Sequence, residues 1–248
     1  SSYIPPADIR DLRELCRYRL KLTYMRTSEK NRFQNSMTIS KVRLDSVFSD
    51  PFGKSASAIM DYLIFTEPDE VSDDQILSLV CRRGNVKASD EDILDSIHGY
   101  EFIGVQRDKL QIISLHLSQI EECIDLIDRK LEYYRQKYAG IIRHLTTMVG
   151  ITPASALYIL GEIGTDMSVW REDASLACWA GLSSANNASA GKKKSTRIGN
   201  GGHYLKPLLV QCALAAVKST KKDPYFRRKY ETLKKRRGHK KAIIAIAR

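Results

Sequence analysis

No apolar run in this chain is long enough to span a bilayer. The longest, Ala242 to Ala247, falls far short of the roughly 20 residues a transmembrane helix needs, so no membrane association is expected. Cysteine is sparse: Cys16, Cys81, Cys123, Cys178 and Cys212 are scattered, with no Cys-x-x-Cys and no neighbouring His pair. Neither a zinc site nor a disulfide framework is expected, and a reducing cytoplasm is the default setting. Strand signals are weak throughout, which argues for a mainly α fold. The amino terminus, Ser1-Ser2-Tyr3-Ile4-Pro5-Pro6, has neither an initiator Met nor a basic-then-apolar targeting pattern. It reads as a cut made inside a longer protein. What remains is an ordinary soluble composition, 43% apolar and 28% charged over 248 residues, enough to bury a sizeable core.

Acidic residues are almost missing from one end. From Gly181 onward two acids, Asp223 and Glu231, face 18 lysines and arginines, a net of +16. The preceding 180 residues hold 22 basic and 27 acidic groups, a net of −5. Solubility needs no such segregation. A chain so polarised has one end built to meet a polyanion, and nucleic acid is the expected partner.

Residues 8 to about 45 are rich in helix formers and free of Pro and Gly, so a long helix is predicted, stopped by Asp50-Pro51-Phe52-Gly53. Shorter helices are predicted over 54–65, 72–81 and 89–97. Ser72-Asp73-Asp74-Gln75 and Ser89-Asp90-Glu91-Asp92 supply capping signatures for the last two. From Val105 to Ala139, Ile113, Leu117, Ile120, Ile124, Ile127, Leu131, Tyr134 and Tyr138 alternate spacings of four and three. That is a coiled-coil seam, to be paired either with the helix at 8–45 or with a second subunit. After Gly140 helices shorten and small residues increase. The predicted fold is therefore mainly α: a coiled-coil helical hairpin over 1–140, with a possible dimerisation role, then a compact basic helical domain over 141–248.

Three stretches of that second half bear on chemistry. Met148-Val149-Gly150-Ile151-Thr152-Pro153-Ala154 resembles the turn of helix-hairpin-helix modules, where backbone N–H groups face a phosphate. Thr152 stands where a second Gly is usual, and a plain tight turn between packed helices explains the stretch as well. Ser183 to Gly202 is nearly all small, polar or basic, which suggests a long functional loop. Within it Ser189 sits between small neighbours, followed by Lys192, Lys193, Lys194, Ser195 and Arg197. Those cations suit the oxygens of a bound phosphate. By itself the pattern marks phosphate binding more than a nucleophile, because a serine needs activation. His203 is the nearest base, although it reads first as a helix-start or phosphate-contact residue. In the tail, Tyr225, Phe226 and Tyr230 interleave with Arg227 and Arg228. Pro224 and Gly238 punctuate a pair of basic helices that also carry Lys234, Lys235, Lys240 and Lys241. Charge with interleaved aromatics is a nucleic-acid footprint, and core packing of the aromatics is the alternative.

These residues fall in an order that resembles a known family. Gly150-Ile151-Thr152-Pro153-Ala154, Glu162-Ile163-Gly164, Trp170 and Trp179-Ala180-Gly181-Leu182 come first. Asn187-x-Ser189-Ala190-Gly191-Lys192-Lys193-Lys194-Ser195-x-Arg197-Ile198, Gly199-Asn200, Tyr204-Leu205-Lys206 and Lys240-Lys241-Ala242 follow. The set is similar to the carboxyl-terminal domain of the bridge-RNA-guided insertion-sequence recombinases, also called DEDD transposases, relatives of the pilin-gene invertase Piv. The likeness covers 145–248, and 8–140 fits that family's coiled-coil connector.

The resemblance implies DNA transposition or site-specific recombination with Ser189 as the nucleophile on a DNA phosphodiester, guided by a structured RNA. The nucleic-acid contacts expected are Lys192, Lys193, Lys194, Ser195, Arg197, Asn200, His203, Lys206, Arg227, Arg228, Lys234, Lys235, Lys240 and Lys241. The family's RuvC-like domain, which supplies four acidic Mg2+ ligands, would precede Ser1. No cofactor or metal is thus expected on this chain, and alone it is not expected to cleave DNA. DNA, guide RNA and further copies, as a homodimer or higher oligomer, are the implied partners. A non-catalytic nucleic-acid-binding module, with Ser189 incidental, is the alternative.

Overall fold

The computed structural model describes residues 4–81, 87–183, 187–189, 192–195, 198–199, 201–219 and 224–248, with the backbone alone for 187–189 and 192–195. Its helices are α1 (Ala7–Ile39), α2 (Lys54–Phe65), α3 (Asp73–Ser78), α4 (Asp90–Ile97), α5 (Gln106–Lys137), α6 (Ala139–Leu145), α7 (Pro153–Ile163), α8 (Asp173–Trp179), α9 (Leu205–Lys218), α10 (Tyr225–Arg237) and α11 (His239–Ala247). The fold is mainly α, as predicted. Contrary to the expectation of an unstructured loop after Ser183, strands β1 (Asn187–Ser189) and β2 (Lys192–Ser195) form an antiparallel pair.

Two compact units emerge: Ser1–Leu20 with Leu126–Arg248, and Lys21–Asp125. Residue 140 lies inside the first, in which the start of α1 packs with the carboxyl-terminal helices. Helices α1 and α5 each contribute to both units.

In the unit of residues 21–125, α1 ends about six residues earlier than predicted. Lys41 adopts a left-handed conformation (φ 61°) and Val42 N–H donates to the Met37 carbonyl at 3.0 Å, a Schellman closure without glycine. The break lets Val42 and Leu44 turn into a core with Met37, Ile59, Met60, Leu63, Ile64, Ile93 and Leu110. Helix α2 has no basic residue in its last turn. Arg107 of α5 supplies the missing cation, donating to the Ile64 carbonyl at 2.8 Å, to the Thr66 carbonyl and to Glu67. Ser89 and Asp92 close the predicted capping box on α4.

The seam on α5 is inward-facing: Ile113, Ile120, Ile124, Ile127 and Leu131 are all buried. Its partner is α1 of the same chain. Arg26 meets Glu121 at 2.9 Å and His116 meets Glu29 at 3.3 Å in one unit. Arg19 meets Asp128 at 2.6 Å and Lys137 meets Asp8 at 2.8 Å in the other. Within each unit the α5 number falls as the α1 number rises, the signature of an antiparallel pair.

In the other unit α9 is the scaffold. Its first half (Leu205, Leu208, Leu209) packs with Ile159, Ile163, Ala180, Leu182, Ile244 and Ala247. Its second half (Ala213, Val217) packs with Tyr230, Ala242 and Ile243. The apolar end of the chain therefore lies under the helices that carry the charge, as its composition suggests.

Candidate nucleic-acid interface

The β1–β2 hairpin stands on a base made of glycine. Gly181 has φ 69° and Gly202 has φ 67°, conformations an L side chain disfavours. A Cβ on Gly181 would lie 2.3 Å from the Gly201 carbonyl oxygen, and one on Gly202 would lie 2.2 Å from that of Ala180. The chain entering the hairpin region and the chain leaving it are thus pressed backbone to backbone. Gly199 N–H donates to the Ser183 carbonyl at 3.2 Å and Lys206 Nζ donates to the Gly199 carbonyl at 3.0 Å.

Within the hairpin Ser189 pairs in register with Lys192, Ala188 with Lys193 and Asn187 with Ser195. One step on β1 is matched by two on β2, so Lys194 is the extra residue of a β-bulge. Ser189 is therefore the last paired residue of β1. Arg197 and Asn200 lie outside the described residues, as do the side chains of Ser189, Lys192, Lys193, Lys194 and Ser195.

Sequence reasoning missed what holds the base in place. Glu162, buried at the end of α7, takes Arg17 Nε and Nη2 on its two oxygens, both at 2.8 Å. The Arg17 guanidinium also lies 4.3 Å from the centre of the Tyr204 ring, at the head of α9. One turn earlier Arg13 donates to the Gly161 and Glu162 carbonyls at 2.9 and 2.8 Å, closing the carboxyl end of α7 with positive charge. The Glu162 hydrogen bonds raise the Arg17 pKa above its ordinary value. Two arginines four apart on α1, with Glu162 and Tyr204 in the ordered motif set, were the available signal.

The turn before α7 packs tightly against α9. Gly150 (φ 92°) presses on α9, where a Cβ would meet the Cys212 carbonyl oxygen at 2.3 Å. Thr152 and Ser155 cap one another reciprocally, and Pro153 has no N–H. The first-turn donors a phosphate would use are mostly taken, so the turn serves helix packing.

His203 is exposed just before α9. Arg227, Arg228, Lys234 and Lys235 on α10 and Lys240 and Lys241 on α11 are exposed too. None of these six forms an ion pair among the described residues. The tail aromatics divide: Tyr230 is buried, its OH 2.7 Å from His239 Nδ1, Phe226 is half-buried and Tyr225 is exposed. The hairpin base sits at the head of α9 and α10 packs on its second half, so the structure does not gather all predicted contacts at one point. They are spread along a scaffold helix about 20 Å long.

Among the described residues no helix is long and apolar enough to cross a membrane. Nor is any group of three or more His, Cys, Asp or Glu placed to hold a metal ion. All five cysteines are free. No curated protein and no solved structure matches the chain. Residues 142–231, from α6 into α10 and including both hairpin strands, match the model of the Transposase IS116/IS110/IS902 family, which supports a role in DNA transposition or recombination.

Proposed function

We propose that this chain is the part of a transposase that engages DNA and presents Ser189 as nucleophile to a DNA phosphodiester. A structured guide RNA selects the sites, and two or more copies assemble around the DNA in the cytoplasm. The observation that carries this reading is the Ser189 hairpin itself, clamped at a glycine base inside the stretch that matches a transposase family. In the proposed step the Ser189 Oγ–phosphorus bond forms as the bond from phosphorus to the departing sugar oxygen breaks. The serine proton is lost to a base or to water, and the departing oxygen gains one, freeing a strand end. Lys192, Lys193, Lys194 and Arg197 supply positive charge for the non-bridging oxygens as the transition state spreads negative charge over them.

By the resemblance, metal chemistry belongs to a RuvC-like domain. The test is Ser189→Ala in a protein carrying both domains. The reading expects lost strand cleavage with retained DNA binding. Unchanged cleavage would leave a non-catalytic nucleic-acid-binding module.

A further inference from the structure

Helix α10 carries its charge in a way that local stability opposes. Its first turn holds Arg227 and Arg228 and no acid, and Lys229 follows at once. Cations there face the positive end of the helix dipole, which disfavours them. Lys234, Lys235, Arg236 and Arg237 in the last turn suit the dipole, but the first three need another reason. α11 repeats the pattern, opening with His239, Lys240 and Lys241 and no acid.

The placement of these cations around α10 is informative. Tyr230 is buried, and Phe226 and Leu233 are half-buried, which defines the inward face. At 3.6 residues per turn, Arg228 and Lys235 fall on the crest opposite that face. Arg227 and Lys234 fall on one flank, and Lys229 and Arg236 on the other. All six are exposed. Lys229 Nζ donates to the Tyr225 hydroxyl at 3.2 Å, and Lys234 Nζ lies 5.5 Å from the centre of the Tyr230 ring. Each of these lysines thus lies against an aromatic ring of its own helix while remaining exposed. A flat polyanion, or one strand crossing the helix, would engage the crest and at most one flank. A helix with cations on both flanks and the crest, and a single acid, Glu231, between the crest and the Arg227 flank, fits between two rows of phosphates.

From this arrangement we infer that α10 lies in the major groove of B-form duplex DNA, its flanks on the two phosphate strands and its crest toward the base edges. That groove is about 12 Å wide and admits a helix. The deep, narrow major groove of A-form RNA does not, which selects duplex DNA over duplex RNA. Arg228 then has the geometry for a bidentate contact to a guanine edge. Lys240 and Lys241, next along the chain after the Gly238 turn, extend the phosphate contact.

The inference rests on the proposed DNA role, and binding of the 248-residue chain to a 30-base-pair duplex, its separated strands and an RNA duplex of the same sequence tests it. Tight duplex DNA binding is expected, displaced by methyl green, which occupies the major groove, and not by netropsin in the minor groove. Arg227→Ala with Lys234→Ala, and separately Lys229→Ala with Arg236→Ala, should each lower the salt slope by about 1.8. That corresponds to roughly 50-fold weaker binding at 0.1 M salt. Arg228→Lys keeps the charge, so it should keep the slope while lowering any guanine preference. One silent flank, equal binding to all three nucleic acids, or displacement by netropsin alone would overturn the groove assignment and leave the DNA role standing. Absence of binding to any nucleic acid would remove both. Circular dichroism of each variant confirms that the helices are intact.

Discussion

The Gly201 carbonyl oxygen occupies the space beside Gly181, 2.3 Å from where a Cβ would stand. That contact brings the backbone at 181 against the backbone at 201, on either side in sequence of the strands that carry Ser189.

Gly181→Ala and Gly202→Ala should therefore each destabilise the unit by on the order of 2 kcal/mol or more, from the positive φ and the displaced carbonyl together. Gly199→Ala is the control, since a Cβ there meets nothing within 4 Å. Thermal melts should show Tm falling by about 4–8 °C for the first two and hardly at all for the third. Equal melts would mean that the clamp does not hold the hairpin.

Arg17→Ala removes the partner of a buried carboxylate. Breaking such a pair costs about 3–5 kcal/mol, and the low end is expected because 31% of the Arg17 side chain stays in water. In a double-mutant cycle, Arg17→Ala and Glu162→Ala should be strongly non-additive. Additive losses would show that the two do not act as one tie.

Asp8 gives the unit of residues 1–20 and 126–248 an acid-sensitive contact. Hydrogen bonds from Lys137 and then Tyr138 hold its carboxyl down at about 2, from an ordinary 3.8. A depressed carboxyl stabilises the fold above its unfolded pKa, and that contribution disappears as pH falls from about 4 to 2. The Tm gap between the native chain and Asp8→Asn should be present at pH 6 and close over that window. A constant gap would mean that Asp8 is not ionically tied.

Thiol reactivity reads the packing of α1 and α9 directly. Burial pushes the Cys16 thiol up to about 12, helped by the nearby Glu162 charge, and Cys212 is raised by burial as well. Cys123 and Cys178 are exposed. A thiol reagent at neutral pH should modify Cys123 and Cys178 fast and leave Cys16 and Cys212 untouched until the chain unfolds. Early loss of Cys16 would contradict the packing of α1 on the carboxyl-terminal helices.

Features written in local chemistry were legible in the sequence: the α5 seam by its three-and-four spacing, α4 by Ser89 and Asp92, and α10 by Pro224 and Gly238. The end of α1 was not, because Lys41 adopts without glycine a conformation that glycine usually marks. Strands β1 and β2 were hidden because Asn187–Ser189 and Lys192–Ser195 contain no β-branched or aromatic residue. Their pairing goes with the clamp at Gly181 and Gly202, which no local pattern reveals. The Arg17–Glu162 tie joins residues 145 apart, a relation only the folded chain discloses. The close backbone approach at Gly181 and Gly202 likewise has no local signature, since it joins segments about twenty residues apart.

The most direct test of the account is to quench a strand-exchange reaction of the two-domain protein in denaturant and map any DNA that stays attached. The account predicts a peptide containing Ser189 that carries a phosphodiester-linked nucleotide, absent in Ser189→Ala. Strand exchange without that adduct, or an adduct on another residue, would contradict it.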